Sequence, residues 1–248
     1  MPAAACLGAA GPLWYNLTMA NLLIVERAYG NGSWALYRDG AKVASATFPE
    51  GLPRAPEWYA NVVAGLAAAG VAPQALDLLL AGTGPGSFSG IRSVLAALQG
   101  LALPRGLPVL GLSSAAALAR AVARARGART VAVVGDARRG TFWCAVYDVA
   151  DDGAVTLHGT GGVPAHAAAD FAIPAPDALA GAIPTGALVV SPEYRHLATT
   201  LLAVPGAQVL AEEVRPSADD LAALYFANPA AAVRDPLPIY LHPAVVAR

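Results

Sequence analysis

Apolar runs broken by glycine, proline and charge set out most of this chain. Leu22–Val25 is unbroken apolar, Ser33–Tyr37 follows, and Lys42–Phe48 alternates, so three strands are predicted. Asp39-Gly40 between the last two is a two-residue hairpin signal, which makes the three a meander. After the proline-rich connection Pro49–Pro56, Trp58, Val62, Leu66 and Ala69 recur on one side of a helix over Glu57–Ala69. Leu76–Ala81 reads as a buried strand. Ile91, Val94, Leu95, Leu98 and Leu101, spaced by three and four, mark one face of another helix. Val109–Leu112 is a short strand or connector, and Ser113 or Ser114 caps a helix to about Ala125.

The pattern then starts again. Thr130–Val134 is a strand, Asp136-Ala-Arg-Arg-Gly140 a turn and Thr141–Tyr147 a second strand. Asp151-Asp-Gly153 turns once more, and Ala154–Leu157 begins a third. Glu26 and Asp136 each end the first strand of their copy, so an internal duplication is expected. Gly159–Thr185 is irregular, with a short helix near Ala165–Phe171. Ala187–Ser191 reads as a strand, Glu193–Leu202 as a helix and Gln208–Leu210 as a short strand. Ser217-Ala-Asp-Asp220 opens a helix to Ala227, stopped by Asn228-Pro229, and the tail Pro236–Pro243 is extended. Met1–Ala20 looks detached from all of this and is expected to be disordered or loosely docked, with Met19 a candidate start. It lacks the basic and sustained apolar regions of a signal peptide.

Composition narrows the function classes. The 248 residues are 56% hydrophobic and 13% charged, much of the apolar share being alanine. The length suffices for one large or two small domains. A net charge of −1 gives no global basic field for nucleic acid. No apolar run approaches the roughly 18 residues of a membrane span. Cys6 and Cys144 are too few for a disulfide framework, and no cysteine–histidine spacing suggests a metal, which points to a reducing cytoplasm.

Four glycines and a proline crowd Gly82–Gly90, ahead of the helix that starts near Ser87 or Ser89. Such a loop at a helix N-terminus suits an anion or a closely approaching backbone. It is not a Walker A motif, because no Gly-Lys pair stands at the required offset, and not a nucleophile elbow, because neither serine has Gly two residues away on both sides. Arg120, Arg124, Arg126 and Arg129 near the end of the next helix read either as a solvated face or as a patch for tRNA or an acidic partner. His158, His166, His196 and His242 are scattered, with no spacing that pairs them with a nucleophile or metal partner.

The run Gly84-Pro-Gly-Ser-Phe-Ser-Gly-Ile-Arg92, followed by Gln99-Gly-Leu-Ala102 and Leu107-Pro-Val-Leu-Gly-Leu-Ser113, resembles the signature of the TsaB (YeaZ) family. The usual family residue at Ser89 is Thr. The meander Leu22–Phe48, the Asp136-Ala-Arg138 turn with Phe142-Trp143, and Pro238-Ile-Tyr-Leu241 are also similar and fall in the right order. The resemblance implies an α/β chain of the actin-like ATPase (ribonuclease-H-like) type, duplicated into two subdomains with mixed sheets flanked by helices. Residues 21–112 would form the first and 113–248 the second, after the extension 1–20.

It further implies a cytoplasmic partner and not a catalyst, a dimerisation subunit of the machinery that makes threonylcarbamoyladenosine beside the tRNA anticodon. The TsaD-type catalytic subunit would dock mainly on helices of the first subdomain, and a TsaE-type ATPase would join the pair. tRNA would be met only through the complex, a homodimer stays open, and no cofactor, metal or membrane is expected. Gly84, Pro85, Gly86, Ser87, Phe88, Ser89, Gly90 and Arg92 are the candidate partner-binding or loop residues, with the stripe Val94, Leu95 and Leu98, which reads either as a docking face or as ordinary core. Arg92 would either bond the partner or hold the loop.

One departure matters. The family usually has Ile-Asp-Thr at the end of the first strand, where this chain has Val25-Glu26-Arg27. Glu26, Arg27, Asp136 and Arg138 are therefore expected to line a vestigial nucleotide cleft, where Glu26 and Asp136 are either paired across it for a cation or separate solvated turn residues. The alternative function is a small-molecule kinase or nucleotide hydrolase of the same fold, which would need phosphate contacts at Glu26-Arg27 and Gly84–Ser87.

Overall fold

The structure, a computed structural model, describes residues 21–30, 32–48, 55–160 and 167–241. The expectations for Met1–Ala20, Cys6, His166 and His242 lie outside them.

Strand β1 (Asn21–Glu26) pairs antiparallel with β2 (Ser33–Arg38), and β2 with β3 (Ala41–Thr47), through the Asp39-Gly40 turn. Helix α1 (Ala55–Ala68) leads to β4 (Leu78–Gly82), parallel to β1. Helix α2 (Phe88–Ala102) leads to β5 (Val109–Leu112), parallel to β4. Both central strands are buried along their length, as continuous apolar runs demand.

Helix α3 (Ser114–Arg126) passes to the second half. There β6 (Thr130–Arg138), β7 (Thr141–Val149) and β8 (Val155–Leu157) form another antiparallel meander. A stretch with two short 3₁₀ segments, Ala168–Asp170 and Pro176–Ala182, precedes β9 (Leu188–Ser191), which runs parallel to β6. Helix α4 (Tyr194–Leu202) leads to β10 (Gln208–Glu213), parallel to β9. Helix α5 (Ala218–Ala227) and β11 (Val233–Arg234) end the ordered elements.

The sheets are ordered β11-β5-β4-β1-β2-β3 and β10-β9-β6-β7-β8. With the two-residue β11 set aside, the orders are the same, strand for strand, which bears out the duplication. The last helix of each half lies on the sheet of the other. Helix α3 packs on β6, β7 and β8, α5 packs on β1 and β2, and the two helices pack on each other. One apolar core therefore runs through both halves, from Leu23 and Leu80 through Leu118 and Leu221 to Val133 and Tyr147. The chain does not stay with the second sheet after residue 113, because β11 adds to the first sheet beside β5.

Helix ends are fixed locally. Ser87 caps α2 and Ser113 caps α3, each accepting from the backbone N–H three residues on. Ser217 and Asp220 form a reciprocal capping box on α5. Tyr37 Oη donates to Asp219 Oδ1 at 2.8 Å and Lys42 Nζ to Oδ2 at 2.9 Å, pinning the start of α5 to the first meander.

Candidate functional site

The glycine-rich loop connects β4 to α2, as its sequence predicts, and is woven into β1 and α3. Ser87 N–H donates to the Ala28 carbonyl at 2.8 Å, and Ser114 N–H to the Gly84 carbonyl at 2.9 Å. Gly84 N–H in turn donates to Ser114 Oγ at 3.1 Å, and the Gly84-Pro85 peptide is cis. Gly86 is required by close approach, since a Cβ there would meet the Ala28 carbonyl.

Glu26 is the centre of this weave and is fully buried. Ala28 N–H donates to its Oε1 at 2.5 Å and Ser114 Oγ to its Oε2 at 2.7 Å. The carboxylate occupies space that Gly82 leaves free, as a Cβ at residue 82 would collide with it. Burial drives the carboxyl up to about 7, and the bonds from Ser114 and Ala28 only partly offset that rise.

Between the two halves lies a cleft of about 850 Å³, lined by the loop from Gly86 to Ser89, by Arg92, by Asp136 and Arg138, and by the tail from Ile239 to Leu241. Two of the expected cleft residues are therefore misplaced by sequence. Glu26 is sealed inside, drawn in by its two hydrogen bonds, and does not face Asp136 across the cleft. Arg27 turns to the helical side, with its guanidinium carbon 5.6 Å from the Trp58 ring centroid and Nη1 3.4 Å from Ser93 Oγ. Asp136 and Arg138 do line the cleft, tied to each other. Asp136 Oδ2 accepts from Arg138 Nη1 at 2.9 Å and Oδ1 from the Arg138 N–H at 2.6 Å.

Val94, Leu95 and Leu98 are core residues, packed inward from α2. The expectation that they form the docking stripe is corrected: their spacing marks the buried face, and the exposed face of α2 carries Arg92, Ala96, Gln99 and Gly100. Phe88 stands out of the loop and packs on Tyr240, with Arg92 over its ring. The arginines near the end of α3 contact neighbouring turns and strands of the second half: Arg120 Nε donates to the Gly153 carbonyl at 3.1 Å, Arg124 Nη1 to the Asp151 carbonyl at 2.9 Å, and Arg126 and Arg129 make exposed pairs with Glu212 and Asp151.

Sequence reasoning missed Tyr29, Glu193, His196, Glu213, Arg215 and Tyr240 on the cleft wall. Glu193 Oε2 accepts from the Asp136 N–H at 2.9 Å, and Arg215 pairs with Glu213 at 2.6 Å. The one usable signal was positional, because Glu193 follows β9, the neighbour of β6, and Glu213 ends β10, the neighbour of β9. Among the described residues no group of three or more His, Cys, Asp or Glu could hold a metal ion. None of their helices is long and apolar enough to cross a membrane.

Two duplicated sheets of this order, facing across a cleft, define an α/β protein of the actin-like, ribonuclease-H-like class. Comparison with known proteins shows what the chain is similar to within that class. Residues 60–174 match the family model described as TsaD, tRNA N6-adenosine threonylcarbamoyltransferase. A stretch of 78 residues is 38% identical to the tRNA threonylcarbamoyladenosine biosynthesis protein TsaB of Escherichia coli (strain K12), covering 32% of this chain and 34% of that protein. The chain thus spans about a third of the length of that curated relative.

Two solved structures are similar over 90% of this chain and all of theirs. YeaZ from Pseudomonas aeruginosa has a TM-score of 0.70 at 28% identity. An uncharacterized Pseudomonas aeruginosa protein with similarity to peptidase YEAZ has a TM-score of 0.73 at 27% identity. These matches make the chain similar to proteins named TsaB and YeaZ, over nearly its whole length in the case of the solved structures.

Proposed function

We propose that this chain is a non-catalytic subunit in the biosynthesis of threonylcarbamoyladenosine in tRNA, and that it works by pairing with a TsaD-type catalytic subunit. The observation that carries the pairing is the shared outer face of α1 and α2. Ala60, Ala64 and Ala67 on α1 are exposed, as are Ala96, Gln99 and Gly100 on α2, and the charged residues exposed on these two helices, Glu57 and Arg92, stand near their N-termini. The alanine and glycine positions let the helices of a partner approach closely, and the uncharged part of this face loses little hydration when covered. Glu26 supports the non-catalytic half of the reading. Its carboxylate is spent on internal hydrogen bonds, so it does not reach a phosphate or metal in the cleft.

A TsaE-type ATPase joins the pair, tRNA is met through the assembled complex in the cytoplasm, and the same helical face pairs two copies of this chain when the partner is absent. A reconstituted modification assay tests the proposal. Adding this chain to the TsaD-type and TsaE-type proteins is expected to restore threonylcarbamoyladenosine formation. Ala96→Arg, which puts a guanidinium on the exposed face, is expected to remove at least nine-tenths of that activity while the melting temperature holds. Full activity from Ala96→Arg would rule out this face, and modification without the chain would rule out the role.

A further inference from the structure

Phe88 and Tyr240 are the only aromatic side chains among the exposed large apolar residues described, at 59% and 42% exposure. They come from stretches far apart in the sequence and touch, with ring centroids 5.3 Å apart and planes tilted by 36°. Neither ring is needed to fill the core, and both are held firmly from below. Phe88 is the first residue of α2, directly after its cap Ser87. Tyr240 follows the buried Ile239, whose N–H donates to the Thr83 carbonyl at 2.9 Å.

Arg92, one helical turn along, holds its guanidinium 5.0 Å from the Phe88 centroid. Among the described residues no ion pair engages it. The shelf opens onto the cleft, whose wall carries both signs: Arg138 and Arg215 beside Asp136, Glu193 and Glu213, with the Arg138 side chain 76% exposed and its partner Asp136 31%. Arg215 likewise stands outside Glu213. Flat rings flanked by a free guanidinium are the means by which proteins hold an unstacked base and its phosphate.

We propose that the Phe88–Tyr240 shelf receives an unstacked nucleobase of an RNA loop and that Arg92 contacts a neighbouring phosphate. The proposal rests on the reading that the chain serves a tRNA-modifying complex, and it gives the chain a direct RNA contact of its own. A net charge of −1 makes that contact local, so it adds to the affinity of the complex and is weak in the chain alone.

The test is fluorescence anisotropy of a labelled anticodon stem-loop RNA, titrated with the full chain alone and with the chain paired to the TsaD-type protein. Phe88→Ala and Tyr240→Ala are each expected to weaken RNA binding about tenfold, and Phe88→Tyr to keep it. Arg92→Gln is expected to lower the slope of log affinity against log salt by about one. A loop-free duplex and AMP are expected to compete poorly. Unchanged affinity in both alanine variants, with melting temperatures intact, overturns the shelf, as does equal competition by AMP or by the duplex. Pair formation is read separately by gel filtration. Loss of the pair with a Phe88-dependent RNA contact in the chain alone would refute the pairing and spare the shelf.

Discussion

At the scale of single residues, the oddest choice in this chain is a carboxylate in its centre. Glu26 is buried against Ser114 and the Ala28 N–H, under a glycine that leaves it room. Its proton is held to about 7 in the folded chain, against an ordinary 4.5. Between those values the folded state binds more protons than the unfolded one, so this group makes stability fall as pH rises. The fall begins near pH 4.5, is complete above pH 7, and is on the order of 3 kcal/mol. Urea unfolding across pH 5 to 8 should show it, and Glu26→Gln should flatten most of it. Asp220, also raised mainly by burial, contributes a change of the same sign that the Glu26 variant leaves in place. A profile unchanged by Glu26→Gln would place the carboxylate in solvent. Gly82→Ala should cost about 1–3 kcal/mol in the same measurement, because its methyl group meets the Glu26 carboxylate.

At the scale of elements, helix α2 separates two roles that its sequence merges. Leu98 lies inside, so Leu98→Ala should cost about 2–5 kcal/mol and Leu98→Glu should prevent folding. Ala96, two residues away and exposed, should accept a charge with the fold intact. Equal thermal stability of Leu98→Glu and the parent would contradict this placement.

The contrast shows what the sequence makes legible. Spacing gave α1 and α2, and cap and stop residues gave α3 and α5, with Ser87 and Ser113 each one of two candidate caps, since these depend on neighbours within four residues. The meanders and β5 were legible because apolar runs and Asp-Gly turns are local too. The fate of Glu26 was not, because it is set by Ser114 and Gly82, far along the chain. Nor was the meeting of Phe88 with Tyr240, or the two-residue β11, which is too short to show any period.

At the scale of the whole molecule, the reciprocal placement of α3 and α5 binds the halves into one unit. Each covers the sheet of the other half, and they pack together between. Unfolding should therefore be a single transition. Trp34 and Trp58 report the first half and Trp143 the second, and their fluorescence should change together with the circular dichroism of the backbone. Two separated transitions would mean that the halves are independent domains. A rigid, jointly folded body with a bland helical face suits a subunit whose task is to hold another protein in shape.

That task is the central claim, and size-exclusion chromatography with light scattering tests it most directly. The chain is mixed with the TsaD-type protein of the same organism and the mass of the eluted species is read. The account predicts a one-to-one complex that Ala96→Arg abolishes. Two separate peaks, each at the mass of its own protein, would contradict it.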